Sequence, residues 1–223
     1  MDDTLARLRQ QIREIEGGPV QQVRAAPSGL PGLDGLTGGL PCPGLVEVDG
    51  PVGGGRTRLV LGWAAQATQR GARVAWVDPA GSLYPPTAAA LGVALERLLL
   101  VRPVEERLAW TADQLARSGC FGLVVLAALP DLRGVVARWR EAVRQGRTTL
   151  VVLSDRPARL ASVDLRLQVR EGVAVVQRRR AGPVGRALAL PPWPEGLDPL
   201  EGGGRSPWAV RAPGSGRGRS GAV

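Results

Sequence analysis

The chain reads as an α/β fold with a mostly parallel central sheet flanked by helices. Three observations predict this. Short apolar runs recur at 45–48, 73–77, 98–101, 122–126 and 149–153. Segments of helical character separate most of them, the alternation expected of a parallel sheet covered on both faces. The first run leads into Gly50-Pro51-Val52-Gly53-Gly54-Gly55-Arg56-Thr57, a glycine-rich loop of the kind that cradles phosphates, and a helical segment follows it.

In chain order, residues 4–16 predict a short amphipathic helix, with Leu5, Leu8, Ile12 and Ile15 at spacings of three and four. Gly17-Gly18-Pro19 stops it. Its apolar stripe packs either on its own domain or on a partner, and those four residues are the candidate interface. Residues 27–43, rich in Gly, Pro and Leu, read as loops. The strand at 45–48, the phosphate loop and a helix over 59–69 follow, then a strand ending at Asp78-Pro79. Helices are expected over 85–91, 105–117 and 131–145, the last with Leu132, Val135, Val136, Trp139 and Val143 on one face. Residues 165–170 and 172–177 predict a hairpin turning at Glu171-Gly172. From Pro191 the chain is Pro-, Gly-, Ser- and Arg-rich, the composition of a disordered tail. The expected organisation is an N-terminal helix and linker (1–26), a core (27–190) and a tail (191–223).

All 29 basic residues are arginine, and the chain has no lysine, histidine or asparagine. This bears the imprint of GC-rich codon usage. A net charge of +9 favours polyanionic partners, nucleic acid first. Cys42 and Cys120 stand in unrelated contexts, and without histidine no metal-ligand spacing exists. No metal site is expected. The charged N-terminus and the lack of a long apolar run predict a cytoplasmic protein with no membrane contact.

In the phosphate loop Gly50, Gly55 and Thr57 fit the required pattern, with Gly53 and Gly54 between them, but Arg56 stands where a lysine belongs. Lysine acts there as a compact point charge, which a planar guanidinium does not reproduce. Codon bias can explain this one exchange, but a working loop lysine is the residue least prone to drift, so its loss points rather to a relaxed need for hydrolysis.

Ser28-Gly29-Leu30-Pro31-Gly32-Leu33-Asp34, Gly38-Gly39-Leu40-Pro41, Gly50-Pro51 and Ala116-Arg117-Ser118-Gly119 are together similar to the core of RecA-type recombinases, and the likeness extends over about residues 4–190. The resemblance implies a RecA-like P-loop core. It also implies a glutamate after the second strand, an aspartate ending the Walker B strand and a phosphate-sensing glutamine after the strand at 149–153. At those places the chain has Ala80, Ala127 and Ser154-Asp155. Asp and Glu occur elsewhere, so codon bias does not explain their loss here. Hydrolysis needs positioned water, Mg²⁺ and charge neutralisation together. We therefore expect no catalytic residues and no useful ATPase activity. Backbone N–H groups and the helix N-terminus still attract phosphate, so no cofactor is required and weak ATP binding is retained. The segments 129–133 and 156–160, where that family's DNA-binding loops would lie, are too short to insert between bases.

A degenerate core of this size resembles the ImuA family of the bacterial inducible-mutagenesis cassette, sometimes grouped with SulA-like proteins. Gln177-Arg178-Arg179-Arg180-Ala181-Gly182-Pro183 followed by Leu188-Ala189-Leu190 is similar to the basic ending of that core. This resemblance implies a non-catalytic role in error-prone translesion synthesis, in the SOS response to DNA damage. The implied partners are ImuB (a Y-family-polymerase homologue), an error-prone replicative-type polymerase, RecA and DNA, with a nucleoid-associated location; self-association through the N-terminal helix stays open. Arg178, Arg179, Arg180, Arg217 and Arg219 are the candidate DNA contacts, with Arg205 and Arg211 adding to the basic tail. Trp208 in the tail is a candidate docking aromatic, whereas Trp193 reads as packed on the core. Trp63, Trp76 and Trp139 read as core. Two other functions stay open: a divergent DNA-dependent ATPase using Arg56 with Asp78 or Asp131, and a SulA-like inhibitor of cell division.

Overall fold

The computed structural model describes residues 24–130, 132, 134–157, 160, 162–179 and 184–191. The helix expected over 4–16, with Leu5, Leu8, Ile12 and Ile15, lies outside them. So do Asp131, Arg180, Trp193, Arg205, Trp208, Arg211, Arg217 and Arg219.

Strands β3 (Gly44–Asp49), β4 (Val74–Val77), β6 (Leu123–Leu126) and β7 (Thr149–Ser154) are buried along their whole length. Their continuous apolar character is what a strand covered on both faces requires. They form the parallel centre of an eight-stranded sheet ordered β10-β9-β8-β3-β7-β6-β4-β5, with β5 (Leu98–Val101) at one edge. Beside β3, β8 (Leu165–Arg170) is parallel to it. The sheet then turns antiparallel through β9 (Val173–Arg179) and β10 (Ala187–Ala189).

Helix α1 (Pro31–Thr37), α2 (Arg56–Gln69) and α3 (Pro85–Ala90) supply one core layer, which includes Leu33, Leu59, Trp63 and Ala88 together with Trp76 of β4. Helices α4 (Leu108–Arg117) and α5 (Val135–Gly146) supply the other, which includes Leu108, Ala112 and Trp139. The three tryptophans expected in the core, Trp63, Trp76 and Trp139, are fully buried there. The Trp139 indole N–H also donates to the Ala109 carbonyl at 3.1 Å, so α5 is tied to α4 by a polar bond inside an apolar contact.

Several elements differ from the sequence expectation. Residues 27–43, read as loops, contain α1 and the strand β2 (Leu40–Cys42), which pairs with β1 (Arg24–Ala26) inside the segment read as linker. Pro31 opens α1, where its missing N–H costs nothing. The Asp34 carboxylate accepts from the Ser28 N–H at 2.9 Å, and Leu33 is buried. Tertiary anchoring therefore offsets the glycines of this short helix. Residues 105–107 form a single 3₁₀ turn before α4. Helix α5 starts at Val135, after Gly134 in a left-handed conformation, rather than at 131. Among the described residues no helix is long and apolar enough to cross a membrane.

Candidate functional site at the phosphate loop

The loop leaves the C-terminal end of β3, beside the ends of β7, β6 and β4, where open α/β sheets place their ligands. Gly50 donates its N–H to the Ser154 carbonyl at 3.1 Å, which anchors the loop to β7. On its other side the loop rests on the β8–β9 hairpin. A Cβ on Gly50 would lie 2.0 Å from the Val169 carbonyl oxygen, and one on Gly54 would lie 3.0 Å from the same atom. The Gly172 N–H donates to the Gly54 carbonyl at 3.1 Å. Gly55 adopts a left-handed conformation with φ of 103° and caps α2, the geometry for which glycine carries no Cβ penalty.

This arrangement encloses a cavity of about 500 Å³ lined by Val52, Gly53, Gly54, Gly55, Arg56, Thr57, Arg58, Glu171 and Gly172. All of the expected loop residues except Gly50 line it; Gly50 forms the hinge behind it. The first turn of α2 leaves backbone N–H groups without intrahelical partners, and they carry the positive end of the helix dipole.

Arg56 does not reach freely into this space. Its guanidinium Nη1 donates to the carbonyl oxygen of Gly50, so it straps the end of the loop to its beginning. Four lining residues, Val52, Arg58, Glu171 and Gly172, were not among the sequence candidates, and two of them are charged. Arg58, in the first turn of α2, has a buried Nε atom that makes no hydrogen bond. Burial also lowers its pKa from the usual value. Glu171 sits at the hairpin turn with φ of 49° and lines the cavity beside Gly172. No spacing rule links Glu171 to the loop, since the fold joins them only through the hairpin.

The positions that would handle water and metal are different in character. Asp78 is fully buried, and its carboxylate accepts from the Ser82 hydroxyl at 3.0 Å and the Leu83 N–H at 2.7 Å. It closes the turn after β4. Ala80 is exposed on that turn. Ala127, at the tip of β6, packs its methyl group against the apolar layer of α2. Among the described residues no group of three or more His, Cys, Asp or Glu is placed to hold a metal ion.

A nucleotide's phosphates fit this site in part. The glycine cradle, the first-turn N–H groups, the Thr57 hydroxyl and the Arg58 guanidinium that lines the cavity suit an anion. The magnesium ion that P-loop enzymes hold through a Walker B aspartate meets only the Ala127 methyl on β6.

Below the loop, β3 carries two buried carboxylates. Glu47 is paired with Arg166 of β8 at 2.9 Å and accepts the Leu160 N–H at 3.0 Å. Asp49 accepts from the Gln168 amide at 3.2 Å. Burial raises the Asp49 pKa above its ordinary 3.8; the Gln168 bond pulls it down, the Glu47 charge pushes it further up, and Arg166 and Arg170 oppose this.

The basic segment is not one patch. Arg178 stands opposite Arg166 on β9 and is exposed. Arg179 is partly buried and donates from Nη1 to the Leu36 carbonyl of α1. Alternation along the strand sends neighbours to opposite faces, and the two arginines accordingly lie in different surroundings. Trp110 is half exposed and carries the Arg107 guanidinium 5.6 Å from its ring centroid.

A glycine loop between a central parallel strand and a helix, on a sheet wrapped by helices on both faces, defines a P-loop α/β core. The RecA N-terminal domain matches residues 9–137, and the chain belongs to that family. It is 35% identical over 142 residues to Protein RecA of Ruegeria pomeroyi, covering 59% of this chain and 41% of the relative. With Protein RecA of Thermus thermophilus it shares 40% over 118 residues, 51% of this chain and 34% of the relative. With that of Streptomyces avermitilis it shares 34% over 140 residues, 59% and 37%. The chain thus spans only about two fifths or less of the length of these relatives.

Proposed function

We propose that this chain is a non-catalytic RecA-like adaptor in error-prone translesion DNA synthesis. It would link an ImuB-like Y-family polymerase homologue to an error-prone replicative-type polymerase, in the cytoplasm at the nucleoid, with RecA and DNA as further contacts. The observation that carries the non-catalytic part is the division of the site. The loop keeps its backbone cradle, while Arg56, Ala80 and Ala127 replace the side chains that hydrolysis uses. A divergent ATPase relying on Asp78 is disfavoured, because that carboxylate is buried and engaged by Ser82 and Leu83. ATP binding is weak and not required for the role. Arg178, exposed on β9, offers a DNA phosphate contact.

The partner assignment rests on the resemblance to the ImuA family, and co-purification tests it. The tagged full chain should retain the Y-family homologue and the replicative-type polymerase together. Capture of a tubulin-like division protein instead, with neither polymerase component, would replace this reading with a SulA-like one.

A further inference from the structure

We infer that Arg58, not the motif residue Arg56, is the side chain that receives phosphate in this loop. The inference deepens the weak nucleotide binding proposed above and does not depend on the adaptor role.

The two arginines sit two residues apart in the first turn of α2 and line the same cavity. Their hydrogen bonding differs. Arg56 Nη1 is engaged by the Gly50 carbonyl, the first residue of the loop. That bond closes the loop on itself and orients the planar guanidinium toward backbone oxygen. A guanidinium is a rigid fork, so committing one arm restricts the rest far more than it would a lysine ammonium. Arg56 is thereby a structural strap.

Arg58 has the opposite problem. Its Nε is buried without an acceptor, and the low exposure of the group already disfavours its charge. A buried donor left unpaired is costly, more so when charged. The terminal Nη2 lies over Gly172 of the hairpin turn, 3.5 Å from where a Cβ on that residue would sit. Arg58 therefore spans from α2 to the hairpin across the cavity wall. An anion in the cavity would meet the guanidinium end of Arg58 beside Gly172 and the first-turn N–H groups together. The ligand class is a phosphate or pyrophosphate moiety, free or carried by a nucleotide. Glu171, next to Gly172 in the hairpin turn, lines the same cavity, and its negative charge keeps affinity low and makes charge at that position a second control.

The test is calorimetric titration of the full chain with inorganic pyrophosphate and with ATP, each in EDTA and in Mg²⁺. The variants are Arg58→Ala, Arg58→Lys, Arg56→Ala and Glu171→Gln, with thermal melting of each. Arg58→Ala should weaken both ligands at least tenfold and Arg58→Lys should restore part of the loss. Arg56→Ala should lower the melting temperature but weaken binding less. Glu171→Gln should tighten binding several-fold. The inference is overturned if Arg56→Ala abolishes binding while Arg58→Ala binds as the wild type does, or if the wild type binds neither ligand. Neither result touches the adaptor reading. Sustained ATP turnover by the wild type would instead defeat that reading and leave the role of Arg58 to the affinities.

Discussion

The tip of β3 and the tips of β6 and β4 lie along one end of the sheet, with β7 between them, yet they carry different things. At β3 the loop retains the glycines its path requires. At β4 and β6 the positions of acidic side chains hold Ala80 and Ala127. The difference follows from what each feature does for the fold. Gly50 lets the loop pass against the Val169 carbonyl of β8, where a Cβ would come within 2.0 Å. The cradle is thus a packing requirement whether or not a phosphate ever arrives. An acid at position 80 would sit on an exposed turn and one at 127 would face apolar groups, so neither supports the fold. In the proposed non-catalytic reading, backbone geometry that doubles as structure persists while side-chain chemistry that serves only turnover is lost.

If the β3 side is structural, the largest effects should come from its anchors. Arg166→Ala removes the 2.9 Å ion pair that the buried Glu47 carboxylate makes to β8 and loosens β8 from β3. We expect a loss of about 3 kcal/mol in chemical denaturation. Gly50→Ala should come next, at about 2 kcal/mol, because the new methyl group must displace the hairpin backbone. A near-neutral Gly50→Ala would break the comparison, since the loop glycine would then need a ligand-based explanation.

Asp49→Asn should have a smaller effect of the opposite sign. The folded pKa of Asp49 is raised, chiefly by burial, above the ordinary 3.8. The folded state then holds this proton more tightly than the unfolded chain. Stability through this group falls as pH climbs from 3.8 through the raised value, and the penalty is complete above it. Asparagine keeps the acceptor for Gln168 and removes the charge. Its melting temperature should exceed that of the wild type at pH 7, with the gain vanishing in acid. A gain that persists below the ordinary carboxylate range would assign the effect to packing. The smallest change is expected from Ala80→Glu, within about 0.5 kcal/mol, as for exposed sites in general. Its melting curve should overlay that of the wild type.

The sheet was largely legible in the sequence, because its central strands are mostly apolar runs, with Glu47 and Asp49 the charged exceptions in β3, and the hairpin turn at Glu171-Gly172 announces itself. What escaped was held by distant contacts. Helix α1 is poor in helix formers and depends on the Ser28–Asp34 bond and on burying Leu33. Strand β10 is three residues long and exists by pairing with β9. At the site, the glycine spacing reveals the cradle and the motif singles out Arg56. Neither reveals that Arg56 turns back on Gly50, nor that Arg58 and Glu171 share the cavity. Those depend on where the hairpin comes to rest.

The central claim is that the cradle survives without the chemistry. ATP hydrolysis by the purified full chain, with and without single-stranded DNA, beside an Ala80→Glu/Ala127→Asp variant, tests it most directly. The account predicts no turnover above background for the wild type under either condition, and none for the double variant, because Arg56 still straps the loop. DNA-stimulated turnover by the wild type would contradict the account and place the chain among the working ATPases of the fold.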